Sequence, residues 1–171
     1  MSLIAVNRGK NPPQKEHKNI AMIHGPIDDP YAGHQRIKGY QRAIEVNNID
    51  YNDEYMEPGH YKFQDGYEGV KRLLERKPDI TAVFCANDEM AIGAIKGIVD
   101  MGMRVPEDIA VAGFDDIDIA KVFIPSLTTV HQPFEKKGES AMKAVLSLLK
   151  GEDVEMKIFH EHKIIKREST K

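Results

Sequence analysis

The chain has 171 residues, of which 41% are hydrophobic and 30% charged; this length accommodates one domain with its own core, and the apolar runs are too short to span a membrane. A net charge of -3 at pH 7 argues against binding to nucleic acid through a basic surface. The single cysteine, Cys85, excludes an internal disulfide, and its apolar neighbours predict a small buried thiol.

Residues 1–16 are polar around the Pro12-Pro13 pair, which predicts a leader or an expression-derived segment before a single domain over 17–171. No secretory signal is recognisable, because Arg8 and Lys10 closely follow the first apolar residues. We therefore expect a cytoplasmic protein, and the single cysteine is compatible with that reducing compartment.

Strand and helix patterns alternate through the first half of the domain. An apolar run over 20–23 predicts a strand, and apolar residues at helical spacing then continue from Tyr31 to Asn47. Residues near 53–56 predict a second strand. A second helical pattern over 67–77 must end there, because a proline follows.

The next unit of the pattern is clearer. An apolar run over 80–85 predicts a strand, helical spacing follows over 90–101, and Gly102 stands where a helix C-terminus favours glycine. Another apolar run over 109–114 predicts the next strand. Parallel strands joined by helices are buried on both faces, so this alternation predicts an α/β fold with a three-layer, doubly wound, mostly parallel sheet.

The pattern changes after residue 116. A brief strand is predicted over 127–130, a long helix over 134–149, and a final strand over 157–166. The apolar stripe of the helix consists of Gly138, Ala141, Met142, Val145, Leu148 and Leu149.

Polar side chains follow two of the predicted strands. Asn87 and Asp88 come after the strand that ends at Cys85, and Asp115 and Asp116 come after the next one. Ligands of open α/β sheets bind at this edge, outside the carboxyl ends of the strands. Amide and carboxylate groups there suit a neutral polyhydroxy ligand, but they could equally cap helices and turns. We expect both roles, with Asp88 capping the following helix and Asp115 facing the ligand.

Catalytic and metal-binding interpretations are weaker. The carboxylate pairs at 28–29 and 115–116 are neighbours in sequence that do not face one another, and no nucleophile with a base accompanies them. His160 and His162 on the final strand could bind a metal adventitiously, although a solvated edge strand is the simpler interpretation. No glycine-rich phosphate loop occurs. We expect no catalysis, no metal and no cofactor.

Several motifs, in this order and at this spacing, resemble the effector domain of the lactose repressor (LacI/GalR) family over residues 17–170. They are Ala86-Asn87-Asp88-Glu89-Met90-Ala91-Ile92-Gly93-Ala94, Val105-Pro106-Glu107-Asp108-Ile109, Val111-Ala112-Gly113-Phe114-Asp115-Asp116 and Pro125-Ser126-Leu127-Thr128-Thr129-Val130 with Gln132. The resemblance implies a two-lobed core of the type I periplasmic-binding-protein-like fold, whose cleft binds a small effector. In the family a helix-turn-helix headpiece precedes this core.

The resemblance also implies a division of the domain. Residues 17–171 would be the C-terminal lobe, and the helix over 134–150 would return toward an N-terminal lobe. On this expectation most of that lobe and the DNA-binding headpiece would be absent. Residues 1–16 depart from the helix that precedes this lobe in the family. Burial of one leucine contributes about 1.5 to 3 kcal/mol, so an uncovered stripe predicts self-association or a displaced helix. A monomer in sedimentation whose helix is fully mobile would contradict this prediction. An opened cleft predicts weak or undetectable effector binding, which calorimetry showing tight sugar binding would contradict.

The resemblance assigns effector contacts, each with a plainer alternative. Arg36 matches an arginine that faces the effector, although by itself it would be a solvated helix residue. Tyr61 matches an aromatic residue that stacks on the ligand, although a loop tyrosine more often packs. Asn87 offers a donor and an acceptor, and Asp115 offers two acceptor oxygens, as vicinal hydroxyls require.

Four further positions are carried over in the same way. Gln132 and Phe134 match a hinge segment that contacts effectors, with an exposed glutamine and a core phenylalanine as the alternatives. Ile92 and Phe123 match positions that help to form the dimer interface in relatives, with an ordinary core role as the alternative.

The resemblance therefore implies the ligand-sensing and dimerisation domain of a LacI-type regulator, which a sugar or related metabolite controls through a two-state hinge. The expected partners are the effector, a second copy of the chain, and operator DNA only through the absent headpiece. The alternative is a sugar-binding receptor of a transporter, which shares the lobed fold. The segment over 125–132 resembles repressors more closely.

Overall fold

Six strands form one mixed sheet in the computed structural model, which describes residues 17–155 and 157–170. In chain order they are β1 (Ile20–His24), β2 (Met56–Pro58), β3 (Ala82–Cys85), β4 (Ala110–Asp115), β5 (Thr128–His131) and β6 (Lys163–Ile165). Their order across the sheet is β2-β1-β3-β4-β5-β6, in which β1 to β5 are parallel and β6 is antiparallel to β5. The predicted leader, residues 1–16, lies outside the described residues.

Helices connect and follow these strands. They are α1 (Gly33–Val46), α2 (Phe63–Arg76), α3 (Asp88–Asp100), α4 (Asp118–Val122) and α5 (Phe134–Leu149), with 3-10 turns at Asp53–Tyr55 and Glu168–Thr170. The connection from β1 to β2 crosses the sheet in the direction opposite to those from β2 to β3 and from β3 to β4. Right-handed crossovers then place α1 on one face and α2 and α3 on the other. The predicted doubly wound α/β fold is confirmed.

The core forms around β1, because all five residues of this strand are buried. The largest fully buried side chains include Met22, Ile23, Ile44, Leu73, Met90, Ile95, Ile98 and Leu127. Cys85 is a buried free cysteine, as predicted, and burial raises the pKa of its thiol. Within the described ranges, no helix is long and apolar enough to cross a membrane.

Two glycines bring α2 and α3 into backbone contact. A β-carbon added at Gly66 would lie 1.9 Å from the carbonyl oxygen of Met90, and one added at Gly93 would lie 2.0 Å from the carbonyl oxygen of Phe63. Each helix therefore presents a glycine to the backbone of the other. This contact fixes α3, whose first turn carries part of the polar edge of the sheet.

Two predicted strands are placed differently in the structure. Residues 53–55 form a 3-10 turn, because the Asn52 side chain accepts a hydrogen bond from the Glu54 N–H (2.8 Å), and β2 begins only at Met56. The strand predicted over 157–166 is confined to β6, because only three of its residues pair with the short β5.

The long helix α5 carries its apolar residues on the surface. None of its residues is buried, and the exposed large apolar side chains are Phe134, Met142, Val145, Leu146, Leu148 and Leu149. One side of α5, around Ser140 and Ala144, lines a shallow groove with Val154 and Ile158. The predicted helix is confirmed as an element, whereas its self-association stays a prediction.

The C-terminal segment is fastened to the sheet next to β5. The buried Ser169 hydroxyl donates to the Val111 carbonyl (2.6 Å) and accepts from the Thr128 N–H (2.9 Å). The Arg167 guanidinium donates to the Leu127 carbonyl (2.7 Å). These bonds fix β4 and β5 relative to each other near the amino-terminal ends of both strands.

Candidate functional site

The carboxyl ends of β1, β3, β4 and β5 meet at one edge of the sheet. Since β2 lies on one side of β1 and β3 on the other, the connections that leave β1 and β3 run in opposite directions. Open α/β sheets bind their ligands at such a switch point, and we call this position the crevice. The predicted contact residues on segments that leave this edge are Arg36, Tyr61, Asn87, Asp115 and Gln132.

Arg36 is held across the crevice by three groups. Its Nη1 donates to the Ala86 carbonyl (2.6 Å), and its Nη2 donates to the Asp115 Oδ1 atom (3.3 Å). The guanidinium carbon lies 4.1 Å from the centroid of the Phe114 ring, which is a cation–π distance. The Arg36 side chain is 16% exposed, so the alternative of a solvated helix arginine is wrong.

Asp115 is the acceptor on which several side chains converge. Its Oδ1 atom accepts from Arg36 and from the Gln132 Nε2 atom (2.5 Å). Burial raises the pKa of Asp115, and the neighbouring Arg36, Gln132 and Lys137 offset part of that rise. Within the described residues the second carboxylate oxygen, Oδ2, accepts no hydrogen bond, which leaves it available to a ligand hydroxyl.

Gln132 connects the crevice to α5. While its Nε2 atom donates to Asp115, its Oε1 atom accepts from the Lys137 ammonium group on the first turns of α5. The alternative of an exposed hinge glutamine is wrong, because this side chain is half-buried and both of its polar atoms are engaged.

Asn87 caps α3, whereas the sequence analysis assigned the cap to Asp88. The Asn87 Oδ1 atom accepts from the Met90 N–H (3.0 Å), and Asn87 Nδ2 donates to the Tyr61 carbonyl (2.9 Å). Asn87 has the extended backbone of an N-cap residue, while Asp88 is the first helical residue and points into the core. Both polar atoms of Asn87 thus have partners in the protein, and its contact with a ligand stays a prediction.

Tyr61 closes one end of the crevice by packing. Its ring covers Gly25, where an added β-carbon would lie 2.2 Å from the ring, and its hydroxyl donates to Asp29 Oδ2 (2.9 Å). Burial and the hydrogen bond to Asp29 raise the pKa of Tyr61 to about 12. The structure therefore gives Tyr61 the packing role of the alternative, and stacking on a ligand stays a prediction.

Asp29 positions the loop before α1, a role that the sequence analysis missed. Its carboxylate accepts from the N–H groups of Tyr31, Ala32 and Gly33 (3.0 to 3.2 Å) and from the Tyr61 hydroxyl. The backbone hydrogen bond from Ala32 and the bond from Tyr61 lower the pKa of Asp29 to about 2. An aspartate followed by proline shortly before a helix is the sequence signal that could have identified this cap.

This cap predicts a pH dependence of stability. Asp29 stays ionised in the folded protein to about pH 2, whereas in the unfolded chain it binds its proton near pH 3.9 (about the ordinary aspartate value). Its stabilisation is therefore complete above about pH 4 and is lost as the pH falls toward 2. We expect Asp29→Asn, which has no charge to titrate, to flatten the decline in unfolding free energy over this window, as measured by urea unfolding at a series of pH values.

The control for this experiment is Asp28→Asn, which changes an exposed neighbour that does not bind the N–H groups of 31–33. This variant should retain the wild-type decline. An equal decline in wild-type protein and Asp29→Asn would show that the Asp29 carboxylate does not contribute to acid stability.

The second carboxylate of the pair turns away from the crevice. Asp116 accepts from Arg167 Nη2 (2.6 Å) and lies 2.9 Å from the ring Nδ1 of His131. Burial by itself raises the pKa of Asp116, but the hydrogen bonds from Arg167 and His131 hold it below its ordinary value. Asp115 and Asp116 therefore have separate partners and do not form an acid–base pair.

The remaining predicted residues lie outside the Arg36–Asp115 group. Phe134 begins α5 and is 55% exposed, so its core alternative is wrong. Ile92 is 8% exposed and packs in the core, and Phe123 is partly buried against it. A role of Ile92 or Phe123 in a dimer interface, and of Phe134 in ligand contact, stays a prediction.

The histidines proposed for adventitious metal binding, His160 and His162, precede β6 and lie in a segment without regular structure. The strand spacing that would place both rings on one face therefore does not apply. Over 17–155 and 157–170, no group of three or more histidine, cysteine, aspartate or glutamate side chains has the arrangement of a metal site.

A family model described as a periplasmic binding protein-like domain matches residues 14–170. The chain is similar to the HTH-type transcriptional regulator MalR of Clostridium butyricum, with 38% identity over 145 residues that cover 85% of this chain and 43% of MalR. Among solved structures, it is similar to the transcriptional regulator CelR in complex with cellobiose, with a TM-score of 0.86, 35% identity, and coverage of 90% of this chain and 47% of CelR.

The fold is also similar to that of a Lac repressor dimer bound to operator and the anti-inducer ONPF. That match has a TM-score of 0.83 and 30% identity, and it covers 90% of this chain and 53% of the repressor. The chain spans about half the length of the curated relatives that it matches.

Proposed function

Because the chain belongs to the periplasmic-binding-protein-like family and its relatives are LacI/GalR transcriptional regulators, we propose that it is the effector-binding and dimerisation domain of such a regulator. In this proposal a sugar or related small metabolite binds at the carboxyl edge of the sheet. Operator DNA is contacted by a headpiece outside this chain, and the regulator acts in the cytoplasm as a dimer.

The observation that carries the proposal is the group formed by Arg36, Asp115 and Gln132. These side chains come from three segments that are distant in sequence, and they converge in the crevice next to β1 and β3. Asp115 keeps one carboxylate oxygen without a hydrogen-bond partner in the described part of the chain. A partly buried, pre-positioned acceptor of this kind is what a ligand hydroxyl requires.

The charges at the edge favour a neutral ligand. The Arg36 guanidinium is already paired with the Asp115 carboxylate, with 16% and 21% of the two side chains exposed. A pair that is internally neutral offers donors and acceptors without a net charge that an ionic ligand would neutralise. Cellobiose, the ligand in the CelR complex, is a neutral polyhydroxy compound of this class.

Binding rather than catalysis is supported by the same contacts. The Asp115 and Asp116 carboxylates face different partners, so no acid and base converge on one reacting position. Gln132 instead provides a route for regulation, since it links the ligand-facing Asp115 to Lys137 on α5. A ligand that changes the contacts of Asp115 would bias the position of α5, which is the coupling that an effector-controlled regulator needs.

Calorimetric titration of the full chain with glucose, maltose and cellobiose tests the proposal. We expect any saturable sugar binding to be weak, because the cleft is open, and to be lost in Asp115→Ala. The matched control is Asp118→Ala, which removes an exposed aspartate on α4 and should bind as the wild type does. Binding that survives Asp115→Ala unchanged would contradict the proposed function.

A further inference from the structure

Asp88 is a buried carboxylate that the ligand group does not use. It is 0% exposed, and no lysine, arginine or histidine among the described residues forms an ion pair with it. Burial raises the pKa of Asp88. A carboxylate without a cation is costly to bury, so its two oxygens must have specific partners.

The partners of Asp88 lie on the turn after β4 and on β5. Its Oδ2 atom accepts from the Ile117 N–H (2.9 Å), and its Oδ1 atom accepts from the Thr129 hydroxyl (2.5 Å). The oxygen of that hydroxyl in turn accepts from the Asp116 N–H (3.4 Å). Asp88 therefore holds the backbone at 117 directly and the backbone at 116 through Thr129.

The turn that Asp88 holds has an unusual backbone. Asp115 has a φ of +118° and Asp116 has a φ of +59°, which are consecutive positive values at residues other than glycine. Such conformations persist only where the surrounding structure imposes them. This turn sends the side chain of Asp115 into the crevice and that of Asp116 toward Arg167.

A glycine on β4 makes room for the Asp88 carboxylate. A β-carbon added at Gly113 would lie 2.3 Å from the Asp88 Oδ1 atom. β4 therefore has no side chain at the position where the Asp88 carboxylate packs against it, two residues before the ligand-facing Asp115. Gly113 makes room for Asp88, and Asp88 and Thr129 bind the backbone of the turn. The three residues therefore act together to support this turn.

From this arrangement we infer that Asp88 is a positioning residue for effector binding, which fixes the 115–117 turn so that Asp115 faces Arg36 and Gln132. The inference rests on the proposed function in one respect, that Asp115 contacts the ligand. The placement of Asp115 by Asp88 is independent of any ligand and can be measured without one.

Asp88→Ala and Asp88→Asn test the inference in the full chain. NMR of 13C-labelled aspartate follows the titration of Asp115, and the Arg36 Nε–H signal reports the guanidinium stacked on Phe114. In Asp88→Ala we expect the raised pKa of Asp115 to fall toward its ordinary value and the Arg36 signal to move, since Asp115 leaves the crevice. Cellobiose affinity should fall by roughly tenfold or more.

Asp88→Asn should restore most of these signals, because an asparagine Oδ1 still accepts from the Ile117 N–H. If Asp88→Ala fails to fold, Thr129→Val removes the link to the Asp116 N–H and should shift the Asp115 titration in the same direction. A lower melting temperature with unchanged Asp115 and Arg36 signals in the folded variants would overturn the inference. Sugar binding that survives Asp115→Ala would overturn the proposed function, while the Asp115 titration and the Arg36 signal, which need no ligand, still decide the role of Asp88.

Discussion

Gly66→Ala and Gly93→Ala should each lower the unfolding free energy by about 3 kcal/mol, the upper part of the range for overpacked sites. The reason is the backbone contact between α2 and α3. An added methyl group meets a carbonyl oxygen of the opposing helix at 2.0 Å or less, and that oxygen cannot rotate away as a side chain could. The helices must separate, which disrupts the packing of Val70 and Ile98 in the core.

Gly39→Ala is the matched control, because Gly39 lies within α1 and an added β-carbon meets nothing within 4 Å. There alanine should stabilise the domain by up to about 1 kcal/mol through its higher helix propensity. Urea unfolding of the three variants beside the wild type measures the difference. Equal effects at Gly66 and Gly39 would show that α2 and α3 do not pack as closely as the structure has them.

Replacing Arg36 should strongly weaken effector binding. Hydrogen bonds to charged groups contribute about 1.5 to 3 kcal/mol, so we expect Arg36→Ala to lose roughly tenfold to a hundredfold in sugar affinity. Arg36→Lys should lose nearly as much, because an ammonium group cannot contact Ala86 and Asp115 together while it stacks on Phe114. Removal of the guanidinium should also raise the pKa of Asp115 further, since Arg36 at present offsets part of the rise due to burial.

The control is Arg104→Ala, which removes an arginine from an exposed ion pair with Asp108. Exposed ion pairs contribute little to stability. Since Arg104 is not one of the crevice residues, sugar affinity should be unchanged. Calorimetry gives the affinities, and NMR titration gives the pKa of Asp115. If Arg36→Lys binds sugar as tightly as the wild type, the bidentate and stacked geometry of Arg36 is not required for binding.

The sheet was predictable because its inner strands are continuous apolar runs separated by helices. The runs at 20–23, 80–85 and 109–114 became β1, β3 and β4 within two residues at each end. The edge strands were less predictable. β6 is shortened by the length of β5, its neighbour, which no local pattern in 157–166 records.

The candidate site was predictable as a location, because polar residues directly follow buried strands. The contacts within the site were only partly predictable from the sequence. Asn87 and Asp88 are adjacent and both are good capping residues, so sequence could not decide which of them caps α3 and which is buried beneath the turn. The position of Phe114 under Arg36 depends on a contact between residues far apart in the chain. Only the folded geometry shows that contact.

Residue-resolved NMR during titration of the full chain with glucose, maltose and cellobiose locates the effector site. If the carboxyl edge of the sheet is the effector site, the largest shift changes occur at Arg36, Asp115 and Gln132 and reach the first turn of α5. Changes confined to the groove that α5 forms with Val154 and Ile158, with none at Asp115, would show that the effector site lies elsewhere.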